Sequence, residues 1–224
     1  MGSQVRNIIL ILSEVIICYT FLIFLNKKYK TDGIYVYGII ATFMSCIMSL
    51  KEISIMNINV PIGFGVTTSL IIAGNLITQK RGTDELKTFI SLILVTALVS
   101  CCFLNMSGLI NSSKYNEIAN LSYDSIFKYN LRKYIALIIS IILSVWLSGK
   151  LYYLIKKLQN KIVLSNIFSL IIIEVLENTL FILIIYTFEQ KIVDIILCLI
   201  FRYMIKTIIG LIGTVPIYIA NRYN

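Results

Sequence analysis

Apolar residues run through this chain in long unbroken stretches parted by short polar breaks. Seven such stretches can be drawn, at residues 8–25, 34–50, 60–78, 86–104, 134–155, 165–188 and 192–220. A helix of about 17–25 apolar residues crosses a bilayer, so the pattern predicts an all-α integral membrane protein. The first stretch has no small-residue cleavage site and its basic residues follow it, so it is read as a retained helix rather than a signal peptide. Most connections are short. The exception is 105–133, which is polar but holds Leu121, Ile126 and Phe127, an expected apolar face for a short interfacial helix. No soluble domain, linker, low-complexity tract or strong internal repeat is visible.

Composition agrees. The 224 residues are 58% hydrophobic and 14% charged, with a mean hydropathy of +0.88. An ordinary soluble domain is roughly 45–50% apolar and about a quarter charged. The net charge of +9 is not clustered as in a nucleic-acid binder; the basic residues fall between the apolar stretches. One side collects eleven of them: Lys27, Lys28, Lys30, Lys80, Arg81, Lys87, Lys150, Lys156, Lys157, Lys161 and Arg222. The other collects seven: Arg6, Lys51, Lys114, Lys128, Arg132, Lys133 and Lys191. The positive-inside rule makes the first side cytoplasmic, with the N-terminus outside and the C-terminus inside. Histidine is absent, which removes the commonest metal ligand and proton shuttle and every catalytic arrangement built on it. The five cysteines lie in apolar stretches without CxxC spacing and read as small buried hydrophobes.

The remaining two basic residues, Arg202 and Lys206, sit near the middle of the last stretch. A cation there costs about 2.5–3.5 kcal/mol on insertion scales, and the spacing of four puts both on one helix face. The preceding stretch supplies Glu174, Glu177 and Asn178, which also share a face. Two anions and two cations on neighbouring helices are expected to neutralise each other inside the bundle. One reading is an ion-pair network that holds two helices together; the other is a polar site or ion pathway near the midplane. A second cluster follows Pro61, Gly63 and Gly65, which are expected to loosen a helix start. There Gly74 allows close approach, and Asn75, Thr78 and Gln79 form a stripe near the cytoplasmic end. Small-residue packing with interhelical hydrogen bonds competes here with a ligand surface. Side-chain amides present both donor and acceptor, which suits the edge of a heterocyclic base. Glu14, in the first stretch, has no evident partner.

These residues resemble the queuosine precursor transporter family, also called the YhhQ or vitamin uptake transporter (VUT) family. "NLITQKRG" places Asn75, Thr78, Gln79 and Gly82 on the family pattern Asp-x-x-Thr-Glu-x-x-Gly. "NIFSLIIIEVLENTLF" supplies Asn166, Ser169, Glu174, Glu177 and Phe181 at family spacing. "RYMIKTIIGLIGTVPIY" gives Tyr203, Lys206, Pro216 and Tyr218, and Arg132 matches the Arg that opens the fourth core helix. The resemblance runs from about residue 34 to 220. The chain departs from the pattern in having Asn75 and Gln79 for an Asp and a Glu, in lacking the acid near the end of the fourth core helix, and in having Glu174 for a Gln.

The resemblance implies a six-helix transporter core at 34–224, with 1–33 as one additional N-terminal transmembrane helix. It implies inward carriage of queuine or a related 7-deazaguanine across the bacterial cytoplasmic membrane by a secondary-type transporter. Asn75 and Gln79 would bond the base edge, and Thr78 and Asn178 are also expected among the substrate-binding residues. Glu174 or Glu177 would accept from an exocyclic amine or a cationic aminomethyl arm, held in place by Arg202 and Lys206. The expected partners are that solute and membrane lipid; a second copy of the chain stays open, and nucleic acid is not among them. No cofactor, metal or enzymatic activity is expected. The alternative is the substrate-binding subunit of an energy-coupling-factor vitamin importer; the chain has no nucleotide-binding GxxxxGK[ST] of its own.

Overall fold

The structure is a computed structural model, and it describes residues 2–55, 58–110, 117–127, 130–187 and 190–220. Lys114, Lys128 and Arg222, counted in the charge pattern, lie outside them. Long helices dominate because apolar side chains face lipid and neighbours, while every backbone group is satisfied within its own helix. Helix α1 spans Gly2–Met48 and is broken at Lys30 (φ 52°, ψ −131°). The break falls in "NKKYKTDG", the polar interval between the first two apolar stretches. The chain reverses there: the Phe21 and Tyr37 rings lie 6.0 Å apart, and Glu14 and Cys18 share one groove with Tyr37, Met44 and Met48. Thus α1 is two antiparallel arms. Gly33 makes the reversal feasible, since a Cβ there would lie 2.1 Å from the Leu25 carbonyl oxygen.

Helices α2 (Phe64–Arg81), α3 (Thr83–Leu109), α4 (Glu117–Phe127), α5 (Leu131–Gln159), α6 (Ile162–Tyr186), α7 (Ile192–Ile212) and α8 (Thr214–Ala220) follow. Among the described residues five helices, α1, α3, α5, α6 and α7, are long and apolar enough to cross a membrane. With α1 counted as two arms and α2 added, the seven apolar stretches each correspond to a helix. Helix α2 is less apolar because it does not meet lipid: it is the central helix, buried from Phe64 to Thr78.

Three expectations change. The stretch at 60–78 does not begin as a helix. Residues Glu52–Ile55 (β1) and Ile58–Pro61 (β2) pair antiparallel, Glu52 opposite Pro61. Pro61 ends a strand and Gly63, at φ 93°, makes the turn into α2; a left-handed conformation favours glycine. The last stretch breaks at Gly213, where α7 ends and α8 begins. A short helix does occupy the polar connection, but its apolar face is split: Phe127 is buried, while Leu121 and Ile126 are exposed.

The bundle has two distinct ends. At one, Lys80 Nζ donates to Asn26 Oδ1 (2.8 Å) and Arg81 Nε to Thr31 Oγ1 (3.4 Å), joining the α1 reversal to the end of α2. At the other, Lys133 Nζ pairs with Glu52 (3.0 Å). Arg132 there donates to the carbonyls of Ile184 (2.5 Å) and Thr187, closing the end of α6. The basic residues at the first end belong to the larger set of the charge count, and Lys133 and Arg132 to the smaller.

Candidate functional site

Helices α2 and α6 run antiparallel with their polar positions facing each other: Thr68 meets Glu174, and Asn75 meets Asn166. The result is a polar seam through the bundle interior, joined by α7 on one side and α5 on the other. It has an ionic half and an amide half.

The ionic half lies at mid-depth. Glu174 is the thirteenth of the 25 residues of α6. Glu174, Glu177, Asn178, Arg202 and Lys206 are all buried, and their side chains meet. Lys206 Nζ lies 2.5 Å from Glu177 Oε2 and 3.3 Å from Glu174 Oε2. Arg202 reaches Glu177 Oε1 at 3.6 Å, donates from Nε to Asn178 Oδ1 at 2.8 Å, and donates to the Pro61 carbonyl at 3.0 Å. Its guanidinium also lies 4.5 Å from the Phe181 ring centre and 5.4 Å from that of Phe64, as a weakly hydrated planar cation allows. Thr68 donates to Glu174 Oε1 at 2.7 Å. The basic pair is therefore turned away from lipid and toward the two acids, as its spacing predicts.

The β1–β2 hairpin covers this half from one end. Thr68 is level with the middle of α6, so Phe64, where α2 begins, lies about 6 Å from mid-depth at 1.5 Å per helical residue, and Pro61 is only three residues beyond it. Ile55, Val60 and Pro61 are buried. Non-helical backbone is tolerated at such depth only inside protein, and the Arg202 bond to Pro61 ties the hairpin to the ion network.

The amide half starts one turn and more along α2. Asn75 Nδ2 donates to Asn166 Oδ1 (2.8 Å) and Ser169 Oγ (3.3 Å), and Asn75 Oδ1 accepts from Ser148 on α5 (2.9 Å). Gly74 permits this approach, since a Cβ there would stand 2.7 Å from Val145. Thr78 turns its hydroxyl back to the Gly74 carbonyl (2.9 Å), and Gln79 Oε1 accepts from Tyr152 (3.2 Å). Beyond them a polar cleft of about 400 Å³ opens, lined by Thr78, Gln79, Tyr152, Lys156, Lys157 and Asn160 among others. Asn75, Thr78 and Gln79 thus lie on the same seam as the ion network but do not touch it; Asn75 is seven residues from Thr68, about 10 Å along the helix.

Several buried polar atoms of the seam make no hydrogen bond: Asn166 Nδ2, Asn178 Nδ2, Ser144 Oγ, Glu174 Oε2 and Glu177 Oε1, the last two contacted only through ion pairs. Buried polar groups are ordinarily satisfied, so these are the donors and acceptors open to a guest. Four participants escaped the sequence: Thr68, Ser148, Phe64 and the Pro61 carbonyl. Glu14 proves to be partnered. Its Oε1 accepts from the Val66 N–H at 3.0 Å, at the α2 N-terminus, where helix dipoles favour a carboxylate. A backbone partner leaves no complementary side chain to find. Among the described residues no group of three His, Cys, Asp or Glu is placed to hold a metal ion.

A multi-pass helical bundle with a polar seam sealed at one end and open at the other is the architecture of a membrane transporter. Residues 61–220 match the model of the family described as "Putative vitamin uptake transporter", and the chain belongs to that vitamin uptake transporter family. No curated protein and no solved structure matches the chain.

Proposed function

We propose that this transporter carries queuine or a related 7-deazaguanine queuosine precursor inward across the bacterial cytoplasmic membrane. The observation that carries the proposal is the meeting of Arg202 and Lys206 with Glu174 and Glu177 in the bundle interior, beside open donors and acceptors. A buried ion-pair network is a poor stabiliser once desolvation is counted, so a purely structural role explains its presence weakly. A cationic aminomethyl arm matches the open Oε1 of Glu177. The edge of the base matches the amide half, where Asn166 Nδ2 is free and Asn75 exchanges its protein partners for the ligand, with Thr78 and Gln79 lining the way to the cleft. Asn178, fixed by Arg202, offers its Nδ2 to a ring carbonyl. The larger set of basic residues supports an orientation with the open cleft and the C-terminus on the cytoplasmic side. The hairpin then closes the outer side, and alternating access moves the seal from one side to the other. Residues 1–33 form the added helix of this assembly and 34–224 the core.

The test is rescue of transfer-RNA modification in a bacterium unable to make the base, compared across queuine, its cyano and aminomethyl precursors, and unrelated vitamins. Rescue by one or more deazaguanines and none of the vitamins is expected. Rescue that persists undiminished in both Lys206→Ala and Glu177→Gln would show that the ionic half is not the site. Stable co-purification with a transmembrane coupling protein and two ATPases would instead make the chain a substrate-binding subunit of an energy-coupling-factor importer.

A further inference from the structure

We propose that Glu174 carries the proton that drives inward transport, its carboxylate alternating between the Lys206 ammonium and a bound proton; this rests on the transport reading above. The two acids are not equivalent. Glu177 faces two cations, Lys206 at 2.5 Å and Arg202 at 3.6 Å. Glu174 shares Lys206 with it, at 3.3 Å, and that oxygen, Oε2, makes no hydrogen bond. Its other oxygen takes the Thr68 hydroxyl. Here the Lys206 ammonium spans both acids, more closely at Glu177. Once it closes on Glu177 alone, the Glu174 carboxylate needs another partner in the dry interior, and a proton is the partner left.

The surroundings provide the route. Glu174 and Lys206 stand at the head of a crevice between α6 and α7, walled by Leu170, Ile171, Thr207 and Gly210. These positions lie toward the start of α6 and the end of α7, so the crevice leads to the end assigned to the cytoplasm. It is too narrow for a water molecule, and the buried Thr207 Oγ1 within it has no hydrogen-bond partner. In this conformation the inner route is shut, and it carries one unbonded hydroxyl. The titratable and charged groups around Glu174 are Glu177 on α6, Lys206 and Arg202 on α7, and Glu14 and Tyr19 on the first arm of α1. The Tyr19 hydroxyl donates to the Ile209 carbonyl at 2.9 Å. Helix α2 contributes Thr68.

The cycle balances. From the outer side a proton adds to Glu174 Oε2, giving the neutral acid, while Lys206 stays an ammonium paired with Glu177. After solute release the proton leaves through the opened crevice, and the carboxylate regains Lys206. One proton enters with each solute and no other bond changes.

The experiment uses the full chain in proteoliposomes with a pH dye in the lumen and queuine as the probe. For the wild type, external queuine acidifies the lumen, and an inward gradient of about one pH unit, with the membrane potential clamped, drives about tenfold accumulation. Glu174→Gln abolishes both yet still exchanges labelled queuine in counterflow at a reduced rate, and Glu174→Asp restores acidification. Acidification that survives Glu174→Gln, or wild-type accumulation without proton movement, overturns the proposal. So does loss of counterflow in both variants, which would make Glu174 a binding group only. Absence of wild-type counterflow would instead overturn the transport reading itself, and this proposal with it.

Discussion

The two halves of the seam solve the same problem by different means. Both place polar groups out of water among apolar helices. The amide half uses short neutral side chains, and Asn75 alone is satisfied by three protein partners on two helices. The ionic half uses full charges on long side chains, divides one lysine between two acids, and borrows a backbone carbonyl from the hairpin. Neutral partners cost little to separate, because an intramolecular hydrogen bond is worth about 0.5–1.5 kcal/mol net. Removing one member of a buried ion pair costs about 3–5 kcal/mol. On the proposed reading the halves divide the labour: the amide half recognises and releases the ligand, while the charges of the ionic half are re-paired as the bundle opens.

Substitutions should separate the halves, with the largest loss at Arg202 and the smallest at Gln79. Arg202→Ala leaves Glu177 short of a cation and unties the hairpin; thermal unfolding in detergent should show a loss of about 3–5 kcal/mol, with uptake abolished. Asn75→Ala strips three hydrogen bonds from the neutral half and should cost about 1–3 kcal/mol, raising KM more than it lowers the maximal rate. Thr68→Val removes one bond to a charged oxygen and keeps the shape, for about 1.5–3 kcal/mol at most; unfolding that matches the wild type within error would show that Glu174 does not depend on it. Gln79→Ala, at the open cleft where water replaces the lost partner, should change uptake by a few-fold at most, since surface substitutions lie within about 0.5 kcal/mol. An effect at Gln79 as large as that at Arg202 would erase the distinction between the halves.

Much of this was legible in the sequence, and the rest was hidden for identifiable reasons. Apolar run length marks every long helix, because bilayer thickness fixes it. The meeting of α6 and α7 could be read from Arg202, Lys206, Glu174 and Glu177, because charges in hydrocarbon require counter-charges. The hairpin could not: "EISIMNINVPIG" joins directly to the apolar run of α2, and nothing local marks where the strand ends beyond Pro61 and Gly63. Glu14 seemed unpartnered because its partner is a backbone amide. Ser148 and Thr68 were missed because small hydroxyls are common in transmembrane helices, and only packing shows which ones face the seam. The distance between Asn75 and the ion network is likewise a property of helix placement, not of spacing within one helix.

The coupling between Lys206 and Glu177 can be measured directly by a double-mutant cycle with Lys206→Met, Glu177→Gln and the pair combined, read by unfolding in detergent and by queuine uptake. Each single change should destabilise by about 3–5 kcal/mol, and the pair together should cost much less than their sum, with uptake lost in all three. Additivity within about 0.5 kcal/mol, or uptake retained without Lys206, would contradict an ion network that both closes the bundle and frames its cargo.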